Sequence, residues 1–175
     1  MATTLDYSTG NILGINLQAV FTPGTTGYPY TPDYPPFLVG QEAEGTDGTY
    51  WVYVLASGAI LQGDVVTLTS AGVAAGITTT NAAFGNQVAV AQVAIASGSY
   101  GWVQRFGPAT YVNVAGLCAP NVQLAATSTE GALDDAVTTG LKNINGIIVT
   151  ATNTLTATVA AKAGTLNWPV VGTTN

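Results

Sequence analysis

The chain has 175 residues, and its 3 basic and 9 acidic side chains give it a formal net charge of -6, so Arg105, Lys142 and Lys162 are too few for the cluster of cations that nucleic-acid binding requires. Only 7% of the residues are charged while 47% are hydrophobic, which excludes the strongly hydrated surface of an ordinary free monomer and favours a partner or an assembly. Because histidine is absent, Ser-His-Asp and Cys-His nucleophile systems and imidazole zinc sites are excluded, and we expect neither an enzyme nor a cofactor.

The sequence carries no pattern for export or for crossing a membrane. Residues 1–10 lack the basic start and the continuous apolar stretch of a signal peptide. No run approaches the roughly 18 apolar residues that span a bilayer. We therefore expect synthesis in a cytoplasm and no membrane partner.

The N-terminal region differs in character from the rest of the chain. Residues 22–37 interleave prolines with aromatic residues, a pattern that suits neither a helix nor a strand ladder. Residues 1–48 are therefore predicted to form an extended arm or long loop. Its large apolar side chains must pack either on the body of the protein or on a partner. The candidate partner contacts are Tyr28, Tyr30, Tyr34 and Phe37.

Strand patterns begin at residue 50 and are separated by turn residues. Residues 50–55 are apolar at every position, so we expect a first strand that is buried on both faces or lies at an interface. Turn residues at 62–64 and 70–72 bound a second strand over 65–69. A short return strand is predicted around 73–77.

A further pair of strand signals lies between residues 87 and 114. The large residues change phase between Val90 and Val93, and a β-bulge or sharp coil near Ala91 and Gln92 would explain this change. Residues 100–106 alternate as a strand does, and Gly-Pro at 107–108 is predicted to close that strand. Residues 110–114 then form the return strand of a predicted hairpin.

The last part of the chain is predicted to hold one short strand, one hairpin and a tail. Residues 121–125 form the short strand, and residues 146–151 pair with 155–160 around Thr-Asn-Thr. Residues 164–175 form a C-terminal tail anchored by Trp168. Strand signals spaced by about 8–12 residues, without a helical period, predict an all-β fold, a small antiparallel barrel or sandwich over residues 49–163.

Few side chains outside this framework suggest chemistry. Glu42, Glu44 and Asp47 are close enough in the sequence to supply oxygen ligands to calcium, but a solvated acidic turn is the preferred interpretation. No pair of carboxylates is identifiable as the acid and base of a glycosidase. Cys118 is the single cysteine, and we expect it to be a small buried apolar residue because no basic neighbour would stabilise its thiolate. No metal site is predicted.

Five segments of the β region follow one another in a distinctive order. They are GDVVTL at 63–68, SAGVAA at 70–75, VAVAQ at 88–92, YGWVQ at 100–104 and GPATYV at 107–112. In this order they resemble the head decoration, or cement, proteins of tailed bacteriophages. The resemblance covers about residues 50–135.

The resemblance implies a structural protein of the virion. Members of that family are small β-barrel or β-tulip domains that sit on the capsid exterior and clamp neighbouring major capsid subunits, often as trimers. We therefore predict that this chain binds the major capsid protein and stabilises contacts between its subunits. In this interpretation the N-terminal arm crosses to an adjacent subunit, and the family supplies no catalytic residue.

A second hypothesis is a carbohydrate-binding or adhesive module on a phage or bacterial surface. It requires at least one exposed tryptophan among Trp51, Trp102 and Trp168 to stack on a sugar ring. A position in the core is the competing interpretation for each of them.

Overall fold

The computed structural model describes residues 14–24, 34–136 and 140–174, and within them the protein is all-β, as predicted. The strands are β1 (Glu42–Glu44), β2 (Tyr50–Ala56), β3 (Val65–Leu68), β4 (Val73–Gly76), β5 (Gln87–Val90), β6 (Tyr100–Val114), β7 (Leu124–Ala126), β8 (Leu133–Asp134), β9 (Lys142–Val149) and β10 (Ala160–Thr174). They form one sheet in the order β1-β2-β4-β3-β5-β10-β6-β8-β7-β9. Within the described ranges, no helix is long and apolar enough to cross a membrane.

The strand pairings form two closed sets of five strands each, which we call the first and the second strand ring. In the first strand ring, β2, β4, β3, β5 and β6 pair in sequence and β6 pairs back to β2. In the second strand ring, β6, β8, β7, β9 and β10 do the same. The sheet is mixed and not purely antiparallel as predicted, because β2–β4 and β6–β8 are parallel. Strand directions cannot alternate all the way round a closed set of five, so each ring needs a parallel pair.

Each strand ring has its own buried cluster. The first cluster takes residues from all strands of the first ring, among them Val54, Val66 and Val103. The second takes residues from all strands of the second ring, among them Leu133 and Leu166. β6 contributes to both cores through its two halves, because Val103 lies in the first cluster whereas Ala109, Val112 and Val114 lie in the second.

A third cluster covers the outer face of β2 and β6. It joins Trp51, Tyr53 and Trp102 to Ile15 and Leu17 from the N-terminal region. Because β2 contributes to this cluster and to the first ring, the predicted burial of both its faces is confirmed.

The described parts of the predicted N-terminal arm pack on the body. Phe21 exchanges two backbone hydrogen bonds with Tyr100, each 2.8 Å long, and β1 pairs with β2. Residues 1–13 and 25–33, which include Tyr28 and Tyr30, lie outside the described residues.

The predicted hairpin over residues 100–114 is wrong, because β6 runs through all 15 residues. Gly107 and Pro108 lie within the ladder and pair with Leu166 and Thr165 of β10. The strand pairs with β2 as far as Phe106 and with β10 from there on. The Gly-Pro pair therefore marks the point where β6 leaves one partner for the next, and no turn forms there.

Of the β-bulge or sharp coil predicted near Ala91 and Gln92, the bulge does not form, because β5 ends at Val90 and the chain bends at residues 92–93. Gln92 instead binds the backbone of β6: its Oε1 accepts from the N–H groups of Thr110 and Tyr111, each at 3.1 Å. These are the residues where the β6–β10 register shifts. The hairpin of β3 and β4 is confirmed by its antiparallel pairing.

The predicted C-terminal tail is instead the longer part of a central strand. β10 spans Ala160–Thr174 and pairs with β5, β6 and β9. The predicted pairing of 146–151 with 155–160 is wrong, since Val149 lies opposite Gly164 and residues 150–159 form a loop. Buried Asn153 fixes this loop, because its Nδ2 contacts the carbonyl oxygens of Val114, Ala115 and Thr158.

Candidate functional site

The two described candidate contacts of the N-terminal region have different surroundings. Tyr34 is 77% exposed. Phe37 packs on the body, with its ring centroid 5.3 Å from that of Tyr53 and 5.2 Å from that of Trp102. The structure therefore does not bring the two side chains together on one surface, and Phe37 serves to attach this segment to the third cluster.

Two of the three tryptophans considered as sugar platforms belong to the core. Trp102 is fully buried and Trp51 nearly so. The indole N–H of Trp51 donates to Thr49 Oγ1 at 2.7 Å, which satisfies its polar group inside the protein. Neither ring is available to stack on a ligand.

Trp168 is the exposed tryptophan, and it belongs to an aromatic platform that we define as Tyr50, Phe106 and Trp168. Its ring centroid lies 5.5 Å from that of Tyr50 and 5.9 Å from that of Phe106, and 39% of the residue is exposed. Trp168 has a φ of 47° where the β9–β10 register shifts between Leu166 and Val170. Such left-handed backbone is costly for a residue with a side chain, so the surrounding strands must hold it.

Arg105 lies beneath this platform. The β2–β6 register leaves Arg105 as the extra residue of β6 between Gln104 and Phe106. Its Cζ is 5.1 Å from the centroid of the Trp168 ring, within the range of a cation–π interaction. The platform therefore holds the guanidinium in a defined place.

The electrostatic environment of Arg105 is unusual for a cation. Its side chain is only 10% exposed, and its Nη1 lies 3.9 Å from Oε1 of Glu42, a side chain that is 60% exposed. Burial lowers the pKa of Arg105, and the nearby charge of Glu42 opposes this shift. Its buried Nε has no hydrogen-bond partner in the described part of the chain. The charge is thus desolvated but only loosely paired.

Arg105 also lines a cleft of about 440 Å³, which we call the Arg105 cleft. The cleft lies at the end of the first strand ring where β3 ends at Leu68 and β5 begins at Gln87. The polar lining residues are Glu42, Thr69, Ser70, Asn86, Gln87 and Arg105. Two exposed side chains are sequence neighbours of lining residues. Leu38 lies two residues before Gly40, and Phe84 lies directly before Gly85.

Two of the three acidic residues considered for calcium, Glu42 and Asp47, have other partners. Glu42 faces Arg105, and Asp47 Oδ1 accepts from both the N–H and the hydroxyl of Thr49, at 3.2 and 2.7 Å. This arrangement is that of a side chain stabilising its own turn.

A different set of potential metal ligands occurs in the second strand ring. Atoms of Cys118, Asp134 and Asp135 lie within 4.8 Å of one another. Burial, helped by the charges of both aspartates, raises the pKa of Cys118 to about 11, so the thiol is protonated at neutral pH and is a poor nucleophile or ligand. Asp135 already accepts a hydrogen bond from the Ala119 N–H at 2.9 Å. The prediction that Cys118 is buried is confirmed.

Comparison of the chain with protein-family models, with curated proteins and with solved structures finds no match. The resemblance of residues 50–135 to head decoration proteins stays a prediction.

Sequence reasoning missed Arg105 as a site residue, because three isolated cations had indicated no binding patch. One signal was present: Arg105 is a lone charge in a strand whose neighbouring positions are almost all apolar or small. Such a charge must be partnered or must reach a solvent-filled space.

Proposed function

We propose that this protein is a structural virion protein that binds the outer surface of a phage capsid and stabilises contacts between major capsid subunits. The observation that carries this proposal is the set of large apolar side chains exposed on a chain with few charges. Tyr34, Leu38 and Phe84 are 77%, 81% and 75% exposed. Exposed apolar groups beyond the usual scatter mark surfaces that bind partners.

The segment that carries Tyr34 and Leu38 is fixed to the body. Phe37 packs in the third cluster, and the Gly40 N–H donates to the Tyr53 carbonyl at 2.7 Å. A Cβ at Gly72 would lie 2.3 Å from a methyl group of Val39, so Val39 is in close contact with the β3–β4 turn. A segment that is already ordered before binding loses little conformational entropy when it binds, which suits a permanent interface.

The composition fits the same role. The centres of stable interfaces are depleted in Lys and Glu, and charged residues make up only 7% of this chain. In our proposal the two strand rings form the barrel-like or tulip-like domain of a decoration protein. The protein acts as a trimer on the capsid exterior. Residues 1–48, whose described parts pack on their own domain, contact an adjacent subunit through exposed side chains such as Tyr34 and Leu38.

Co-sedimentation with purified capsids that lack this protein tests the proposal. We expect wild-type protein to saturate the capsids and Leu38→Ser to bind at least tenfold more weakly, since Leu38 would lose its apolar contact. Ile148→Ser is the matched control, because Ile148 is 48% exposed on β9 of the second strand ring. Wild-type protein that does not bind capsids, or equal occupancy by Leu38→Ser, contradicts the proposal.

A carbohydrate-binding module is a second candidate, and the aromatic platform favours it. Exposed Trp168, flanked by Tyr50 and Phe106, offers the flat apolar surface that sugar rings stack on. Binding to a glycan array that Trp168→Ala abolishes and Phe84→Ala retains would support this function. An array without any bound glycan would exclude it for the sugars presented.

A further inference from the structure

Arg105 is a buried cation whose neighbours in the described residues satisfy it only in part. Its side chain is nine-tenths buried, its ion pair with Glu42 is 3.9 Å long, and its Nε has no hydrogen-bond partner in the described part of the chain. A desolvated charge normally requires a close, hydrogen-bonded counter-ion. Glu42 does not meet this requirement, because its Oε1 is 3.9 Å from Arg105 Nη1 and its side chain is mostly exposed to solvent.

The protein nevertheless holds the guanidinium firmly. Arg105 is the bulged residue of β6 at the point where β6 changes its pairing partner from β2 to β10. The Trp168 ring covers the guanidinium, with its centroid 5.1 Å from Arg105 Cζ. Trp168 reaches this position through a left-handed backbone conformation with a φ of 47°. Strained backbone that is maintained in a folded protein is frequently found at binding sites.

The open side of Arg105 is a cleft with room for a ligand. The Arg105 cleft has a volume of about 440 Å³, and Thr69, Ser70, Asn86 and Gln87 add hydroxyl and amide groups to its lining. Small-molecule sites are commonly concave, partly apolar and equipped with a few polar groups that fix orientation. Val52, Val54 and Leu68 supply the apolar part of the lining here.

We propose that the Arg105 cleft binds a carboxylate group of a ligand. The guanidinium donates two parallel hydrogen bonds to a carboxylate, which would give Arg105 the close counter-ion it lacks. Glu42 shows that a carboxylate is tolerated beside Arg105, and its exposed side chain is free to turn into solvent when the ligand enters. A phosphate, with more negative charge, would be repelled more strongly by Glu42 and by the net charge of -6.

The proposal is independent of capsid binding, and the full chain in solution tests it. Acetate is titrated against chloride at constant ionic strength while the indole N–H signal of Trp168, assigned with Trp168→Phe, is followed by NMR. We expect a saturable shift in the wild type. Arg105→Gln should weaken acetate binding at least tenfold, and Lys162→Gln, which removes a cation elsewhere on β10, should leave it unchanged.

A second variant keeps Arg105 and so avoids the risk of misfolding. Glu42→Gln removes the competing carboxylate and should tighten acetate binding several-fold. N-acetyl-aspartate amide and glucuronate, with glucose as the uncharged control, then distinguish an acidic side chain of a protein from an acidic sugar as the source of the carboxylate. Tighter binding of either supports the proposal. A linear response to acetate, unchanged affinity in Arg105→Gln and Glu42→Gln, or tighter binding of inorganic phosphate than of acetate overturns it.

Discussion

The buried amide of Asn153 determines the course of the chain between β9 and β10. Besides the three carbonyl oxygens that its Nδ2 contacts, its Oδ1 accepts from the Leu155 N–H at 3.2 Å, and its own N–H donates to the Cys118 carbonyl at 2.9 Å. The side chain thus satisfies backbone groups of two segments, the end of β6 at residues 114–115 and the loop at residues 155–158. Buried polar groups that are fully partnered favour a single arrangement of the loops around them.

Asn153→Ala should therefore destabilise the protein by about 3 kcal/mol, because several buried carbonyl groups lose their donor at once. Urea unfolding measures this free energy. Thr154→Ala is the control, since Thr154 is exposed and a surface substitution usually changes stability by about 0.5 kcal/mol or less. Equal stability of the two variants would show that Asn153 does not hold the loop.

Asp64 makes the stability of the protein depend on pH. It is 5% exposed, and burial raises the pKa of its carboxyl above the ordinary value of 3.8. The hydrogen bonds from the Leu61 N–H at 2.7 Å and the Asn113 amide at 2.9 Å act in the opposite direction but are the smaller effect. Between the unfolded and the folded pKa, the native state binds more protons than the unfolded chain.

Stability should consequently fall as the pH rises from the unfolded value near 3.8 through the raised pKa of the folded protein. Asp64→Asn cannot titrate and should lack this contribution. The free energy of unfolding of both proteins, measured from about pH 3 to about pH 7, gives a difference in which other carboxyl groups cancel. The advantage of the wild type over the variant should shrink with rising pH, and a difference that is constant or grows would disagree with a raised pKa.

At the scale of the elements, the change of pairing partner within β6, from β2 to β10, depends on Gly107. Its φ is 93°, and an added Cβ would lie 2.9 Å from the Thr49 methyl group and 3.1 Å from Thr49 Cα. Gly98 has a similar φ of 75°, but an added Cβ there meets no atom within 4 Å. The two positions therefore separate the cost of the backbone conformation from the cost of the close contact.

Gly98→Ala should destabilise the protein by about 1 to 2 kcal/mol, the cost of left-handed backbone for alanine. Gly107→Ala should cost about 1 to 3 kcal/mol more, because the methyl group collides with the backbone of Thr49. Thermal or urea unfolding of both variants gives the comparison. If the variants are equally stable, the close contact between Thr49 and Gly107 does not constrain β6 at this point.

The elements that the sequence predicts correctly are those that local patterns determine. The hairpin of β3 and β4 follows from alternation and from the turn at residues 70–72, and the two buried faces of β2 follow from its apolar residues. The length of β10 could not be recognised in this way, because two of its three partners, β5 and β6, lie far earlier in the chain. Gly-Pro in β6 and Thr-Asn-Thr in the β9–β10 loop have the composition of turns, yet tertiary contacts decide both conformations.

The candidate site shows the same limit. Arg105, Glu42 and Trp168 come from three strands, and nothing in their local sequence indicates that they meet. Their meeting depends on the bulge in β6 and on the register shift in β10. The sequence did identify Trp168 as one of three candidate platforms, but it contained no means to separate this residue from Trp51 and Trp102.

At the scale of the whole molecule, the shared strand β6 joins the two cores. Its residues contribute Val103 to the first cluster and Val112 to the second, and β10 and β5 add further pairings between the rings. Neither strand ring can lose its order without exposing the half of β6 that packs in it. We therefore expect the molecule to unfold as a single unit.

Ile60→Ala in the first cluster and Leu166→Ala in the second should each lower the stability by about 2 to 5 kcal/mol, and both residues are at most 1% exposed. In both variants, unfolding followed by tryptophan fluorescence and by circular dichroism should give coincident single transitions. Two separated transitions in either variant would mean that the rings fold independently.

The central position of β10 has a consequence for biosynthesis. Because β10 follows its partners β6 and β9 in the chain, the second ring stays open until β10 has been synthesised. The nascent chain must keep the edges of β6 and β9 unpaired until then. Synonymous codons that slow elongation over this strand should increase the yield of aggregates, whereas the same slowing over β1 should not.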